Sequence, residues 1–216
     1  MTNAPNRRRT VILAAGDFPR KGGAAWRLLS EAARVVACDS AAVAYRRRFR
    51  RWPTVIVGDL DSLPASVAAR LASRADRSGT ELVRVSEQDT NDLEKALALC
   101  SARGWAHPLV VGATGKREDH AIGNVFRALA YGAEIVTDRG RFVPVCGRAT
   151  LCVARDAPLS VFAPDPRTRM TSRGLAWPLD GVRFRTLSCA TLNRTTATRV
   201  VLTATRPVSV YLAEEG

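Results

Sequence analysis

Acidic side chains cluster directly after three short apolar segments, at the points where strands would end. They are Asp39, Asp59, Asp61, Asp89 and Asp92. Asp59 and Asp61 are two residues apart and can project to one side of an extended chain, whereas Asp89 and Asp92, three apart, share one face of a helical turn. Converging carboxylates repel one another unless a cation lies between them, and Mg²⁺ prefers oxygen ligands while keeping positions for water and phosphate. The pattern predicts a Mg²⁺ site, against the simpler interpretation that each Asp caps a turn or a helix.

A second segment suited to chemistry is Gly112-Ala113-Thr114-Gly115-Lys116-Arg117-Glu118-Asp119-His120. Its glycines let the backbone approach a phosphate, the following helix offers free N–H groups, and Lys116 and Arg117 supply positive charge. It is not a Walker A loop, because only two residues separate its glycines and Arg117 stands where Ser or Thr would follow the lysine. These residues by themselves indicate an enzyme that handles Mg²⁺ and phosphate.

The segments that must position these residues alternate between strands and helices. Continuous β-branched runs predict buried strands at 11–15, 35–38, 54–57, 82–85, 109–111 and 135–137. Apolar residues at helical spacing predict two amphipathic helices. Their stripes are Leu93, Ala96, Leu97 and Cys100 in the first, and Ile122, Val125, Phe126 and Leu129 in the second. We expect a doubly wound, mostly parallel, Rossmann-like α/β sheet, on which ligands bind beyond the carboxyl ends of the strands.

After about residue 138 the pattern changes. Val208, Val210 and Leu212 alternate with less apolar residues, and proline-rich turns separate the segments. This alternation predicts a small antiparallel β-sandwich domain over residues 139–216, following an α/β domain over residues 1–138. A chain of 216 residues is long enough for two such cores.

The charge of the chain raises one alternative function. The net charge is +13, and the run from Arg46 to Arg51 could track a nucleic-acid backbone. Basic residues are spread along the whole chain, however, so a solvated surface is the better interpretation, and we expect no nucleic-acid partner. No apolar stretch reaches the roughly 20 residues that span a bilayer, no signal peptide is evident, and five scattered cysteines lack disulfide or zinc spacing. We therefore expect a cytoplasmic protein without a membrane partner.

Five motifs, taken in order, resemble those of thiamine pyrophosphokinases. They are residues 58–62, 88–96 and 112–120, followed by 174–179 and 191–193, which resemble the thiamine-domain motifs of that family. The similarity extends from about Val11 to Leu212. It implies transfer of a diphosphate from ATP to the hydroxyl of thiamine, dependent on Mg²⁺. It further implies a homodimer whose active site joins the β domain of one subunit to the ATP domain of the other. The alternative is a Mg²⁺-dependent phosphotransferase with a different alcohol acceptor.

The resemblance also implies roles for individual residues. The metal ligands would be Asp39, Asp59, Asp61 and Asp92. The catalytic set would be Asp59, Asp61, Asp89, Asp92, Arg117 and Asp119. The contacts to ATP would be Asp39, Ser40, Thr114, Gly115, Lys116, Arg117 and Asn124. The contacts to thiamine would be Gln88, Asp89, Trp177, Thr191, Leu192 and Asn193. Either Asp119 or Asp89 could accept the hydroxyl proton, and Trp177 could either stack on the cationic thiazolium ring or lie in the β core.

Overall fold

The structure, a computed structural model, describes residues 9–73 and 77–214. The first part alternates strands and helices. Its elements are β1 Thr10–Leu13, α1 Ala24–Glu31, β2 Arg34–Cys38, α2 Ala41–Phe49, β3 Val55–Gly58, α3 Ala65–Ala72, β4 Glu81–Arg84, α4 Asp92–Ala102, β5 Leu109–Val111, α5 Glu118–Ala130 and β6 Glu134–Val136. The second part consists of strands, namely β7 Gly140–Cys152, β8 Pro158–Phe162, β9 Met170–Arg173, β10 Ala190–Arg194 and β11 Arg199–Ala213.

The six strands of the first part pair in parallel in the order β6-β5-β1-β2-β3-β4. All six predicted strand segments are present, so the prediction of a mixed α/β fold is confirmed. Alternate side chains of β1 enter different cores: Val11 and Leu13 pack on one face of the sheet and Ile12 on the other. Both faces are therefore covered, which explains why these strands read as continuous apolar runs.

Helices cover both faces of this sheet. Buried side chains of α1, α2 and α3 join the core that contains Val11, and those of α4 and α5 join the core that contains Ile12. The predicted stripe of α4 is buried as expected, but the stripe predicted for α5 is partly wrong, because Ile122 is 62% exposed. The buried face of α5 is Asn124, Val125, Ala128 and Leu129. Ile122 lies outside this face, and Phe126 of the predicted stripe is half-buried.

The antiparallel strands extend the same sheet. β7 pairs with β6 through Ile135–Phe142 and Val136–Arg141, and the order continues β7-β11-β8-β10, with β9 also on β11. The register of the long β7–β11 ladder shifts between Ala204 and Val208. This region encloses a hydrophobic core of its own, built from β7 to β11 and the loops between them. Hydrogen bonding thus crosses residue 138 while the hydrophobic cores stay separate. Among the described residues, no helix has the length and apolar character to cross a bilayer.

The loops that follow β1 and β5 lie side by side because these two strands are neighbours in the sheet. Here the chain reverses its winding: α4 carries it from edge strand β4 back to β5 on the other side of β1. The N–H of Gly16 donates to the carbonyl of Gly112 at 2.7 Å, and the N–H of Asp17 donates to the carbonyl of Thr114 at 2.9 Å. Such a reversal is where open α/β sheets bind their ligands.

Candidate active site

Three of the predicted metal ligands come together at the carboxyl ends of β2 and β3. Asp39, Asp59 and Asp61 each offer a carboxylate oxygen, and these oxygens lie within 4.8 Å of one another. The N–H of Asp61 donates to Asp59 Oδ1 at 3.2 Å, and Ser62 donates its N–H to Asp39 Oδ2 at 3.2 Å. These main-chain hydrogen bonds hold the carboxylates close together. The two-residue spacing of Asp59 and Asp61 predicted that both would project to one side.

Asp39 is the buried member of this cluster, with 3% of its surface exposed. Its Oδ1 is buried without a hydrogen-bond partner among the described residues. Burial raises the pKa of Asp39, and the nearby Asp59 and Asp61 raise it further, against the hydrogen bonds from Ser62 that lower it. An unpaired buried carboxylate oxygen facing two more carboxylates fits a hard cation such as Mg²⁺.

Asp92, the fourth predicted ligand, begins α4 and borders the cluster. A Cβ on Gly58 would lie 3.2 Å from Asp92 Oδ1 and 3.1 Å from Cβ of Asp39, so the missing side chain of Gly58 lets the two carboxyl groups approach. Burial raises the pKa of Asp92, with smaller contributions from Asp39, Asp59 and Asp61, while Lys95 lowers it. Asp92 therefore belongs electrostatically to the same group.

Lys95 is a functional residue that the sequence analysis missed. Its side chain is 3% exposed, and its Nζ lies 3.7 Å from Asp92 Oδ1. The pKa of Asp59 is lowered mainly by hydrogen bonds from Asp61 and Gln88, and Lys95 makes the smallest contribution. A buried ammonium group needs a compensating anion, and here the carboxylate cluster supplies it. Its position three residues after Asp92, on the same helix face, is a signal that could have identified it.

The predicted residues before α4 lie around the rim of the cluster. Gln88 donates Nε2 to Asp59 Oδ2 at 3.3 Å, which links it directly to the carboxylates. Asp89 is exposed, and its N–H donates to Glu87 Oε2 at 2.8 Å. Ser40 is exposed at the start of α2, and its side chain makes no capping hydrogen bond. Of these three residues, only Gln88 contacts a member of the cluster.

The predicted phosphate segment forms a tight loop between β5 and α5. Gly115 has φ +79°, and the Asp17 carboxylate lies so close to its Cα that any side chain would clash. Lys116 donates Nζ to the carbonyl of Ala15 at 2.7 Å. The N-cap residue Arg117 makes no side-chain capping hydrogen bond, so the first N–H groups of α5, those of Glu118 and Asp119, are left for an anion.

Arg117 and Asp119 form a bidentate ion pair, with Nη2–Oδ2 at 2.6 Å and Nε–Oδ1 at 3.1 Å. Arg117 lowers the pKa of Asp119 to about 2. A carboxylate with so low a pKa is a weak acceptor for a hydroxyl proton. The pairing leaves Nη1 of Arg117 without a hydrogen bond among the described residues, so the guanidinium keeps a donor for a phosphate.

The side chain of Asn124, which was predicted to contact ATP, is engaged in hydrogen bonds within the protein. It is buried, its Oδ1 accepts from Asn91 Nδ2 at 3.0 Å, and its Nδ2 donates to the carbonyl of Ala113 at 2.9 Å. Asn91 in turn caps α4 by accepting the N–H of Glu94 at 2.9 Å. This chain of hydrogen bonds ties α4, which carries Asp92, to the phosphate loop. A contact between Asn124 and ATP stays a prediction.

A cavity of about 280 Å³ lies between the phosphate loop and Asp92, the carboxylate at the border of the cluster. Asp92 lines one side of it, and Gly115, Lys116 and Arg117 line another. His120 reaches the same space from α5. Anionic groups bound to the loop would therefore lie between the positive side chains and the carboxylate cluster, as a metal-bound phosphate chain requires.

Four of the six residues predicted to contact thiamine line a separate cleft of about 300 Å³ in the antiparallel region, namely Trp177, Thr191, Leu192 and Asn193. Gln88 and Asp89 do not line it. Trp177 is 61% exposed and Leu192 is 87% exposed. Trp177 is therefore not a core residue. Leu192 has φ +63°, which holds its apolar side chain outward. Thr191 donates Oγ1 to the carbonyl of Ser188 at 2.9 Å, and Asn193 is buried beneath the cleft.

Several arginines of the basic run make contacts within the protein. The run forms the end of α2, where positive charge favours the helix dipole. The guanidinium of Arg46 lies 5.9 Å from the ring centroid of Trp52, and that of Arg48 lies 5.6 Å from the ring of Phe18. These contacts give the arginines a structural role and supply no evidence for a nucleic-acid site.

The site combines a carboxylate cluster, a glycine-containing loop and a helix N-terminus without a side-chain cap. This combination is typical of enzymes that transfer phosphate groups. The family model for the thiamin pyrophosphokinase catalytic domain matches residues 25–136, just over half of the chain. The chain therefore belongs to the thiamin pyrophosphokinase family, and it is an enzyme with thiamine diphosphokinase function. The resemblance to this family is thereby confirmed, and the matched residues include the first three of the five motifs.

Solved structures share the fold over nearly the whole chain. Thiamin pyrophosphokinase from Geobacillus thermodenitrificans is 21% identical, with a TM-score of 0.73 over 96% of this chain and 97% of that one. Thiamin pyrophosphokinase from Candida albicans is 14% identical, with a TM-score of 0.74 over 97% and 90%. No curated protein matches the sequence significantly. At these identities the likeness establishes the fold.

Proposed function

We propose that this enzyme transfers the terminal diphosphate of ATP to the hydroxyl of thiamine, giving thiamine diphosphate and AMP. The observation that carries the proposal is the carboxylate cluster at the ends of β2 and β3, with a buried unpaired oxygen on Asp39. Asp92, at the border of this cluster, lines the same cavity as the phosphate loop. The thiamine hydroxyl attacks the β-phosphorus in line. Positioning and charge stabilisation supply most of the acceleration in such transfers.

Mg²⁺ is the cofactor that fits this cluster. Asp39, Asp59 and Asp61 would hold it, with Asp92 at the border, and when bound it would neutralise charge developing on the transferred phosphates. The chain's own residues fix this arrangement. Lys95 balances Asp92, and the hydrogen bonds from Ser62 and Gln88 orient Asp39 and Asp59.

The phosphate loop orients the triphosphate. Lys116 is held by the carbonyl of Ala15, and Arg117 keeps Nη1 free to brace the diphosphate that moves. We assign Asp89 rather than Asp119 as the acceptor of the hydroxyl proton. The assignment is supported by the ion pair that lowers the pKa of Asp119 to about 2, since Arg117 stabilises that carboxylate as an anion. Gln88 would lie next to the acceptor hydroxyl.

We further propose that the α/β region, residues 1–138, is a doubly wound ATP domain, and that residues 139–216 form a β-sandwich thiamine domain. The separate hydrophobic cores support this division. Exposed Trp177 would stack on the thiazolium ring, and Leu192 beside it would meet a partner subunit. The cleft of Trp177 shares no lining residue with the cavity at the phosphate loop, which agrees with a homodimer whose site joins two subunits.

The decisive experiment is turnover of thiamine with ATP and Mg²⁺, followed by separation of the nucleotide products. We expect AMP and thiamine diphosphate in equal amounts. Release of ADP with thiamine monophosphate would disprove diphosphate transfer. The same assay with other primary alcohols in place of thiamine tests the alternative acceptor, and a faster reaction with one of them would reassign the substrate.

A further inference from the structure

A groove rich in arginine lies between α2 and α3, and we call it the arginine groove. Its volume is about 490 Å³, within the range of small-molecule sites. It shares no lining residue with the cavity beside Asp92 or with the cleft of Trp177. The side chains used below are Arg46, Arg47, Arg50, Trp52, Ser66 and Arg70.

The positive charge of this groove has no counter-charge in the described part of the chain. Four guanidinium groups line the groove, those of Arg46, Arg47, Arg50 and Arg70, and the lining includes no acidic residue. Among the described residues, none of the four forms an ion pair or a side-chain hydrogen bond. Like charges that converge repel one another, so the groove favours an anion that lies among them.

The ends of two helices offset only part of this charge. α2 and α3 both carry arginine in their last turn, where positive charge favours the helix dipole. The C-terminus of a helix is equivalent to about −0.5 of a unit charge, so the two together supply about −1. The four guanidinium groups therefore keep an excess of about three positive charges.

Trp52 holds two of the four arginines in place. The guanidinium of Arg46, from α2, lies 5.9 Å from the ring centroid of Trp52, and that of Arg70, from α3, lies 5.4 Å from it. A guanidinium placed over a ring keeps its N–H groups free for another partner. These two side chains are thus positioned before a ligand arrives, which lowers the entropy lost on binding.

The backbone at Arg50 is a second, independent sign that the groove has a use. Arg50 ends α2 with φ +59°, in the left-handed region, and its N–H donates to the carbonyl of Arg46 at 3.0 Å. Glycine is the usual residue at such a helix end, because a side chain there is strained. The chain carries a fourth guanidinium at this position instead, and strained positions cluster at binding sites.

We infer that the arginine groove binds an oligophosphate, a small anion with two or more linked phosphates. Guanidinium groups pair with phosphate oxygens through two parallel N–H donors. A single phosphate group carries at most about two negative charges and would leave part of the excess unpaired, whereas a chain of two or three phosphates can match it. Ser66 adds a hydroxyl on the α3 side of the groove. Free oligophosphates and nucleoside triphosphates share this chemistry.

The test measures binding of inorganic tripolyphosphate by titration calorimetry, at low salt, with EDTA and without thiamine. Arg117→Ala removes the arginine of the phosphate loop, and it should still bind one tripolyphosphate per subunit, because the arginine groove is intact. In that background Arg50→Gly and Arg70→Ala should each weaken this binding roughly 10-fold or more, since each removes a charge-assisted pair. Arg155→Ala is the matched control, because Arg155 is exposed and lies outside the groove.

Arg50→Gly separates binding from folding. Glycine suits the left-handed backbone at this position, so the Tm should stay the same or rise while the affinity for tripolyphosphate falls. With Arg117 intact, Arg50→Gly should turn over thiamine normally, since Arg50 does not line the cavity beside Asp92. Full tripolyphosphate affinity in both Arg50→Gly and Arg70→Ala would overturn the inference.

Three further ligands complete the test on the Arg117→Ala protein. Inorganic phosphate should bind roughly 10-fold more weakly than tripolyphosphate or worse, and equal affinity for the two would overturn the inference. ATP that binds as tightly as tripolyphosphate supports recognition of the phosphate chain alone, and ATP that binds more tightly supports a nucleoside triphosphate as the ligand. Binding of single-stranded RNA without binding of tripolyphosphate would contradict the inference.

Discussion

Asn193 holds the main chain of Trp177 from both sides. Its Oδ1 accepts the N–H of Trp177 at 3.2 Å, and its Nδ2 donates to the carbonyl of the same residue at 2.7 Å. The Asn193 side chain thus pairs with the main chain of Trp177 as a neighbouring strand would. Asn193 is buried, whereas Trp177 is exposed. These two hydrogen bonds position the main chain of Trp177, and a contact between Asn193 and thiamine stays a prediction.

Asn193→Ala should lower the free energy of unfolding by about 1–3 kcal/mol, since it leaves main-chain polar groups of Trp177 unpaired. It should also raise KM for thiamine while leaving KM for ATP unchanged. Thermal unfolding and steady-state kinetics measure the two effects. Asn193→Asp keeps an acceptor for the N–H of Trp177, so its stability and its KM for thiamine should lie between those of the natural protein and those of Asn193→Ala. An unchanged thiamine KM in a folded Asn193→Ala protein would remove Trp177 from the thiamine site.

Asp59→Asn and Asp61→Asn should each reduce Mg²⁺-dependent turnover roughly a thousandfold or more, because each amide keeps the shape but removes a charge facing the cation. Circular dichroism should show an intact fold. Asp156→Asn, with its exposed carboxylate away from the cluster, is the control and should turn over normally. Near-normal activity of Asp61→Asn would exclude that residue from the metal set.

Asp39 should make the stability of the metal-free protein depend on pH. Burial raises its pKa, so the folded state binds the proton more tightly than the unfolded state. Stability therefore falls as the pH rises from the ordinary Asp value of about 3.9 through the raised pKa. Asp39→Asn should be more thermostable than the natural protein at pH 7, with the difference shrinking towards about pH 4.

Thermal unfolding over a pH series, with and without Mg²⁺, checks this prediction. Mg²⁺ should raise the Tm of the natural protein at neutral pH, since it removes the same penalty, and should have little effect on Asp39→Asn. A variant that is destabilised equally at every pH would show that the carboxylate is satisfied without a cation.

The shared site predicts that two inactive proteins can rescue each other. Subunits of Asp61→Asn and of Trp177→Ala, mixed under conditions of exchange, should form heterodimers in which one site carries both changes and the other neither. Equal amounts give about half heterodimers, so activity should recover to roughly a quarter of the natural level. Absence of recovery after proven exchange would place both residues in one subunit's site, and a monomer in solution would end the shared-site hypothesis.

The sequence predicted the parts of this site that depend on strand ends. Parallel strands end at one edge of their sheet, so Asp39, Asp59 and Asp61 had to meet once the apolar runs were recognised.

Other features depend on contacts between distant segments and left no pattern in the sequence. The two hydrogen bonds of Asn124 reach the N-cap residue of α4 and the loop after β5, and the exposure of Ile122 depends on which face of α5 packs against the core. The outward Leu192 needs a left-handed backbone that leucine rarely adopts. None of these is fixed by local periodicity.

The pairing of β6 with β7 limits how the chain can be divided or recombined. A fragment ending at residue 138 would leave β6 as an open edge strand, and Phe142, which packs against the α/β core, would be lost with β7. Open apolar edges invite pairing with other chains, so such a fragment should aggregate. A chimaera that takes its antiparallel region from a relative would have to preserve the Ile135–Phe142 and Val136–Arg141 register, which acts as the graft junction.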